Sequence, residues 1–312
     1  MQESSFLKGF KFEPFSPASR TGLYVNPTAE ISIPIHHDIL FVNEADLYFG
    51  QKSRQNVEQL AAQIAQKHQQ YAEFVRRKGR RGNGDIYATF QPFNEASKAF
   101  YPFVHALRKR LPPGGIILNL WDRSTWFSSL LPALFPEQTV LTTWEGDKNV
   151  LGYGGYDFWM TQKDGYTNSQ LIFCAPDQPL PLEAHSVDLV FALDAFHRFD
   201  QSKWIQEALR LIKPEGAILF PHTHLSNNEP EPFFERGCKQ MHGRDYQAFF
   251  DRIHQTTGRR GLVLSEPGLF WFNDRKEPEH FPLESTPEMA DYNATLALLP
   301  EDWNEPLEPL NF

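Results

Sequence analysis

The stretch that most constrains the fold runs from Ser186 to Phe220, SVDLVFALDAFHRFDQSKWIQEALRLIKPEGAILF. Val187 to Leu193 is an apolar run with one acidic interruption, Asp188, and reads as a buried strand. A helix is predicted next, because Trp204, Ile205, Ala208, Leu209 and Ile212 recur on one face at helical spacing. Pro214 and Gly216 stop it, and Ala217 to Phe220 begins a second apolar strand. Strand, helix, strand in so short a span is a βαβ unit. Such units build parallel sheets with helices on the faces.

The same alternation extends to both sides. A helix is predicted over Phe100 to Arg110, ended by Pro112-Pro113-Gly114-Gly115. Strands follow at Ile116 to Leu120, Thr139 to Trp144 and Leu171 to Cys174. Gly261 to Ser265 and Leu269 to Phe272, parted by Glu266-Pro267-Gly268, read as a terminal hairpin. The first 50 residues lack a helical period. Alternation over Glu30 to Ile35 and the apolar run Ile39 to Val42 predict two or three short strands, with Pro34 at an edge. Ser53 to about Lys78 carries Val57, Leu60, Ile64, Tyr71 and Val75 near one face and reads as a helix. Arg76, Arg77, Lys78, Arg80 and Arg81 at its end are either a solvated terminus opposing the helix dipole or a phosphate-binding patch. From Asn273 the chain turns rich in Pro and Glu, as a surface strap or a link would. The expected division is residues 1–98, 99–275 and 276–312.

The 312 residues carry a formal charge of -9. An acidic chain is a poor binder of nucleic acid or anionic membrane. No run approaches the roughly 18 apolar residues of a membrane span. Cys174 and Cys238 are too few for a disulfide scaffold and lack metal spacing, which makes a reducing cytoplasm the expected location. Aromatic residues, at 14%, predict an aromatic core or a pocket for a flat substrate.

Ser186, Asp188, Leu189 and Val190, then His197 and Phe199, then Arg210, Ile212, Lys213, Pro214, Glu215 and Gly216 form a recognisable series. The upstream PDQPLPLEAHS, residues 176–186, leads into it. This series resembles the second half of the class I S-adenosylmethionine (SAM)-dependent methyltransferases, of the type 11 kind. The resemblance covers roughly residues 100–275 in element order. It implies an α/β fold: a Rossmann-like seven-stranded methyltransferase sheet with helices on both faces. A small strand-and-helix region would precede it. It also implies SAM as cofactor, held by the loop after the first core strand and by acids ending the next ones. The matching positions are Asn119, Trp121, Asp122, Glu145 and Asp177. A carboxylate such as Glu145 suits a ribose diol because it accepts from both hydroxyls. The loop departs from the family pattern: Trp121, Arg123 and Thr125 stand where glycines would.

In open α/β sheets ligands bind beyond the carboxyl ends of the strands. Asp194, His197, His222 and His224 are the catalytic candidates at those ends. Asp194 could orient His197 in an acid-base pair, or His197 could only pack in its turn. His222 and His224 share a face of an extended segment. Two imidazoles lack a third ligand unless His242 or Glu235 supplies it, and no metal is expected. Two functions remain open. One is methyl transfer to a small molecule. The other is a catalytically degenerate methyltransferase fold that serves as a scaffold, binds a different ligand, or pairs with a protein partner or a second copy.

Overall fold

The computed structural model describes residues 7–14, 22–28, 31–36, 39–41, 96–120, 126–144, 168–174, 179–198, 200–226, 240–275, 281–288 and 292–310. In chain order the elements are β1 (Lys11–Pro14), β2 (Gly22–Asn26), β3 (Ile31–His36), β4 (Ile39–Phe41), α1 (Val104–Arg110), β5 (Ile116–Asn119), α2 (Trp126–Leu134), β6 (Thr139–Trp144) and β7 (Ser169–Phe173). They continue as β8 (Val187–Phe191), α3 (Gln201–Leu211), β9 (Ile212–His224), α4 (Gly243–Thr257), β10 (Arg260–Ser265), α5 (Glu266–Arg275) and β11 (Asn293–Leu299). The helix expected over residues 53–78 lies outside the described residues. No helix among the described residues is long and apolar enough to cross a membrane.

The chain forms two compact units. The first takes Met1–Phe90, Trp121–Ala133 and Thr139–Glu183. Its strands β1 to β4 are an antiparallel meander, and β4 then pairs in parallel with β7, and β7 with β6. Among the described residues the N-terminal region thus has four strands rather than two or three. Pro34 pairs with Leu23 on one side, whereas β4 reaches only Ile35 and His36 on the other. A residue without an N–H fits at such a ladder end.

The second unit takes Gln91–Leu120, Leu134–Gln138 and Ala184–Phe312. Here β5, β8 and β9 run parallel, β11 lies antiparallel beside β9, and β10 antiparallel beside β11. β8 is buried at every position, Asp188 included, as a run with a single acidic interruption between parallel neighbours requires. α3 begins where Asp200 accepts hydrogen bonds from the Ser202 and Lys203 amides. It buries Trp204, Ile205, Ala208 and Leu211. α4 ends at Gly258, whose φ of 72° lets its N–H return to the His254 carbonyl. Phe100 packs edge-on against Phe191 at 4.7 Å, and Phe196 stacks on Phe220 at 4.2 Å. The aromatic residues of the second unit therefore include a packed core.

The fold class is α/β and Rossmann-like, with β6 and β7 in one unit and β5 and β8 to β11 in the other supplying the seven strands expected of a methyltransferase-like core. The terminal hairpin is corrected. Glu266-Pro267-Gly268 opens α5 instead of a turn, because proline is at home in a first helical turn. Leu269 and Phe272 are buried at i, i+3 while Trp271 points outward, a helical rather than an alternating pattern. The strand that completes the sheet is β11, within the segment whose composition suggested a strap.

Because β11 pairs with both β9 and β10, a chain ending at Arg275 leaves those two strands without the element that joins them. Such a truncation is expected to lose the cooperative thermal transition in circular dichroism. Melting at the full-length temperature would show that the segment only straps the surface.

Candidate functional site

The site is built where β8 and β9 end side by side. Past β8 the chain turns at Asp194, whose φ is 50° and whose N–H donates to the Pro221 carbonyl at 3.1 Å. In β9, Thr223 pairs with Ala294 and Phe220 with Leu296, so Pro221 and His222 together face the single Thr295. That extra residue is a β-bulge, a device that re-aims a side chain. His222, in the bulge, has a φ of 55°. A non-glycine residue held there costs about 1–3 kcal/mol and recurs at functional sites. The third such residue among those described, His185, precedes β8 at its other end.

The Asp194 carboxylate is the centre of the cluster. Arg198 Nη2 donates to both its oxygens at 2.9 Å, and Nε donates to the Asp194 carbonyl at 2.7 Å. His224 Nε2 lies 3.4 Å and His197 Nε2 3.6 Å from Asp194 Oδ1. The two imidazoles are stacked, with centroids 4.4 Å apart. His222 meets His224 edge-on at 5.0 Å. His197 is buried, and its Nδ1 accepts the His224 backbone N–H at 3.2 Å. The proton of neutral His197 therefore sits on Nε2, the atom facing Asp194.

Asp194, His197 and His224 bring their ligand atoms within 4.8 Å of one another, close enough to share a cation. The chemistry opposes it. A metal-bound histidine donates its second ring N–H, whereas His197 accepts there. The guanidinium of Arg198 already neutralises the carboxylate. What holds the trio is the His224 N–H donated to His197 Nδ1 and the ion pair of Asp194 with Arg198.

His222 belongs to a second pair. Its Nδ1 lies 2.8 Å from Glu266 Oε2, and a carboxylate only accepts, so Nδ1 donates. Glu266 is 1% exposed at the start of α5. Burial pulls the His222 imidazole down. The hydrogen bond and charge of Glu266, with the charge of Asp194, outweigh burial and the opposing Arg198, and leave it above the ordinary histidine value.

Of the residues singled out from sequence, the structure brings together Asp194, His197, His222 and His224. Asn119 ends β5 and is buried. Trp121, Asp122, Glu145 and Asp177 lie outside the described residues, as does Glu235. His242 is exposed beside the start of α4. Tyr246 and Phe250 of the aromatic segment are core, and Gln201 Nε2 donates to the Tyr246 hydroxyl at 2.6 Å. Sequence reasoning missed Arg198 and Glu266. The i, i+4 spacing of Asp194 and Arg198 was the available signal for the first; Glu266 was hidden in an expected turn.

Residues 157–220 match a family model described as a methyltransferase domain. The family this stretch resembles is that of the methyltransferases. No curated protein matches the sequence. Among solved structures, a SAM-dependent methyltransferase from Aquifex aeolicus is 16% identical, with 69% of this chain and 96% of that one covered and a TM-score of 0.42. A geranyl diphosphate C-methyltransferase from Streptomyces coelicolor A3(2), solved with Mg2+, geranyl diphosphate and S-adenosyl-L-homocysteine, is 10% identical. There 69% of this chain and 83% of that one are covered, with a TM-score of 0.45.

Two outcomes are expected from the cluster. Asp194→Asn leaves Arg198 largely buried without its carboxylate. The loss should approach about 3 kcal/mol in urea denaturation, the scale of a broken buried ion pair. For His222, the raised folded value means that its contribution is complete below 6.5, the ordinary value, and is lost as pH rises through the folded value. The stability gap between wild type and His222→Asn, measured by denaturation across pH, should therefore be widest on the acid side and narrow upward. A gap that widens with pH would contradict the pairing with Glu266.

Proposed function

We propose that the chain is a SAM-dependent methyltransferase-like protein acting on a small molecule held at the carboxyl ends of β8 and β9. The observation that carries this reading is the convergence of Asp194, Arg198, His222 and His224 on a turn and a bulge, at which Asp194 and His222 have positive φ. In an open α/β sheet those strand ends are where a ligand sits. Arg198 fixes the Asp194 carboxylate with two bonds, so its orientation is set before any substrate arrives. His222 offers Nε2, the ring nitrogen that Glu266 does not hold, to the substrate, with His224 packed behind it.

Two positions suit SAM. Asn119 ends β5 with an amide that both donates and accepts, and Glu145 follows directly on β6, where a carboxylate can accept from a ribose diol. Trp121, Asp122 and Asp177 are the other positions that the resemblance assigns to SAM. When bound, SAM supplies a methyl group activated on a sulfonium. A cytoplasmic location and a small-molecule rather than nucleic-acid substrate accord with the acidic chain and its two cysteines.

A second reading has its own observation. Trp121, Arg123 and Thr125 replace the glycines of the cofactor loop. Side chains at such positions bring bulk where backbone would approach the ligand. On that reading the fold is degenerate and serves as a scaffold, a binder of another ligand, or one member of a protein assembly.

SAM titration with calorimetry and thermal melting separates the two. Ligand at about 100 times Kd stabilises a native state by roughly 2.7 kcal/mol. A melting shift at saturating SAM, abolished by Glu145→Ala, is expected for the first reading. No heat and no shift at millimolar SAM would remove it and leave the second.

A further inference from the structure

We propose that Glu266 and His222 form a carboxylate–imidazole dyad in which His222 Nε2 takes a proton from a small acceptor molecule bearing an O–H or N–H. This rests on the reading of the strand ends as a small-molecule site and names the chemical class of its substrate. Glu266 is the positioning residue; His222 is the group that touches the acceptor.

The geometry assigns the roles. Glu266 is almost wholly buried, and its Oε2 holds His222 Nδ1 at 2.8 Å. That bond fixes the neutral tautomer with the proton on Nδ1, so the lone pair is on Nε2. The His222 side chain keeps 22% of its surface exposed, unlike Glu266 behind it. The bulge and the positive φ spend backbone strain on aiming this ring. The second oxygen, Glu266 Oε1, is buried with no hydrogen-bond partner among the described residues. A carboxylate so incompletely satisfied needs a compensating reason, and a proton arriving on the adjacent imidazole supplies one. The groups facing His222 are Glu266, Asp194, Arg198 and His224. Two carboxylates against one guanidinium favour imidazolium there.

The step is a proton transfer alone. The O–H or N–H bond of the acceptor breaks and its electron pair stays on the heteroatom. The proton joins the Nε2 lone pair, giving an imidazolium held by Glu266. The heteroatom is then a stronger nucleophile toward an alkyl donor.

Side-chain imidazole NMR of the full chain tests this, with His222 assigned from His222→Asn. Neutral His222 is expected as the Nδ1–H tautomer, and Glu266→Gln should shift its titration midpoint downward. Above that midpoint, diethyl pyrocarbonate should acylate His222 in the folded protein. An Nε2–H tautomer, a midpoint unmoved by Glu266→Gln, or a His222 that resists acylation would each overturn the dyad. The tautomer needs no variant, so a Glu266→Gln chain that fails to fold leaves the test standing. SAM titration on the same samples keeps the two readings apart. Absence of SAM binding with the dyad results intact sinks methyl transfer alone; SAM binding with the wrong tautomer sinks the dyad alone.

Discussion

The second unit depends on one buried carboxylate. Asp188, 3% exposed in the middle of the sheet, accepts the Ile116 amide at 2.8 Å with one oxygen and the Lys213 ammonium at 2.7 Å with the other. A charge in that place is tolerable only when both oxygens are engaged. The bond to Ile116 fixes the start of β5 against β8. The bond to Lys213 fixes the start of β9 on the other side. The neighbouring glycines follow from the same crowding. A Cβ on Gly115 would lie 3.1 Å from Asp188 Oδ2, and one on Gly216 would lie 2.6 Å from the Asp188 carbonyl oxygen. The aspartate, the lysine and the two glycines are therefore one object spread over about a hundred residues of sequence.

That anchor lets β9 be irregular. Val187 pairs with Ile212 and Leu189 with Ala217, so residues 213–216 loop out of register. Arg259 closes this excursion by donating to the carbonyls of Lys213, Pro214 and Gly216. Burial works against its charge, and Glu215 works for it. With the start of β9 clamped from both sides, the strand can carry a second irregularity at its other end. The bulge at Pro221 and His222 is the one that builds the site. The amino end of the strand is thus clamped by side chains, and the carboxyl end holds the positive φ of His222.

Much of this was legible in the sequence, for identifiable reasons. β8 and α3 are announced by an apolar run broken only at Asp188 and by helical apolar spacing, and the strand-end rule points to Asp194, His197, His222 and His224. Two things were not legible. NATLALL, which forms β11, is seven residues in a Pro- and Glu-rich background, and composition over a wide window masks so short a strand. Leu269 to Phe272 has four apolar residues in a row, a length at which helix and buried strand look alike. Mistaking α5 for a strand placed Glu266 in a turn, and so concealed the partner of His222. The bulge is likewise silent in sequence, because it is set by which residue of β11 each residue of β9 meets.

Charge accounting then says what kind of site this is. The cluster holds two carboxylates, Asp194 and Glu266, and one permanent cation, Arg198. One negative charge remains to be balanced. A divalent cation at Asp194 would overshoot, and would sit against the guanidinium at a cost that rises as the dielectric falls. A single proton balances the sum. His197 is poorly placed to take it, since its Nδ1 is committed to the His224 amide and its ring is buried. His222 is well placed: Glu266 already holds one ring nitrogen and the side chain reaches solvent. A site with one proton to exchange, an imidazole to carry it and fixed carboxylates on both sides is suited to a substrate that gives up a proton as it reacts. Deprotonation of an O–H or N–H makes that demand, and the proposed pairing of Glu266 with His222 would answer it at the carboxyl ends of β8 and β9.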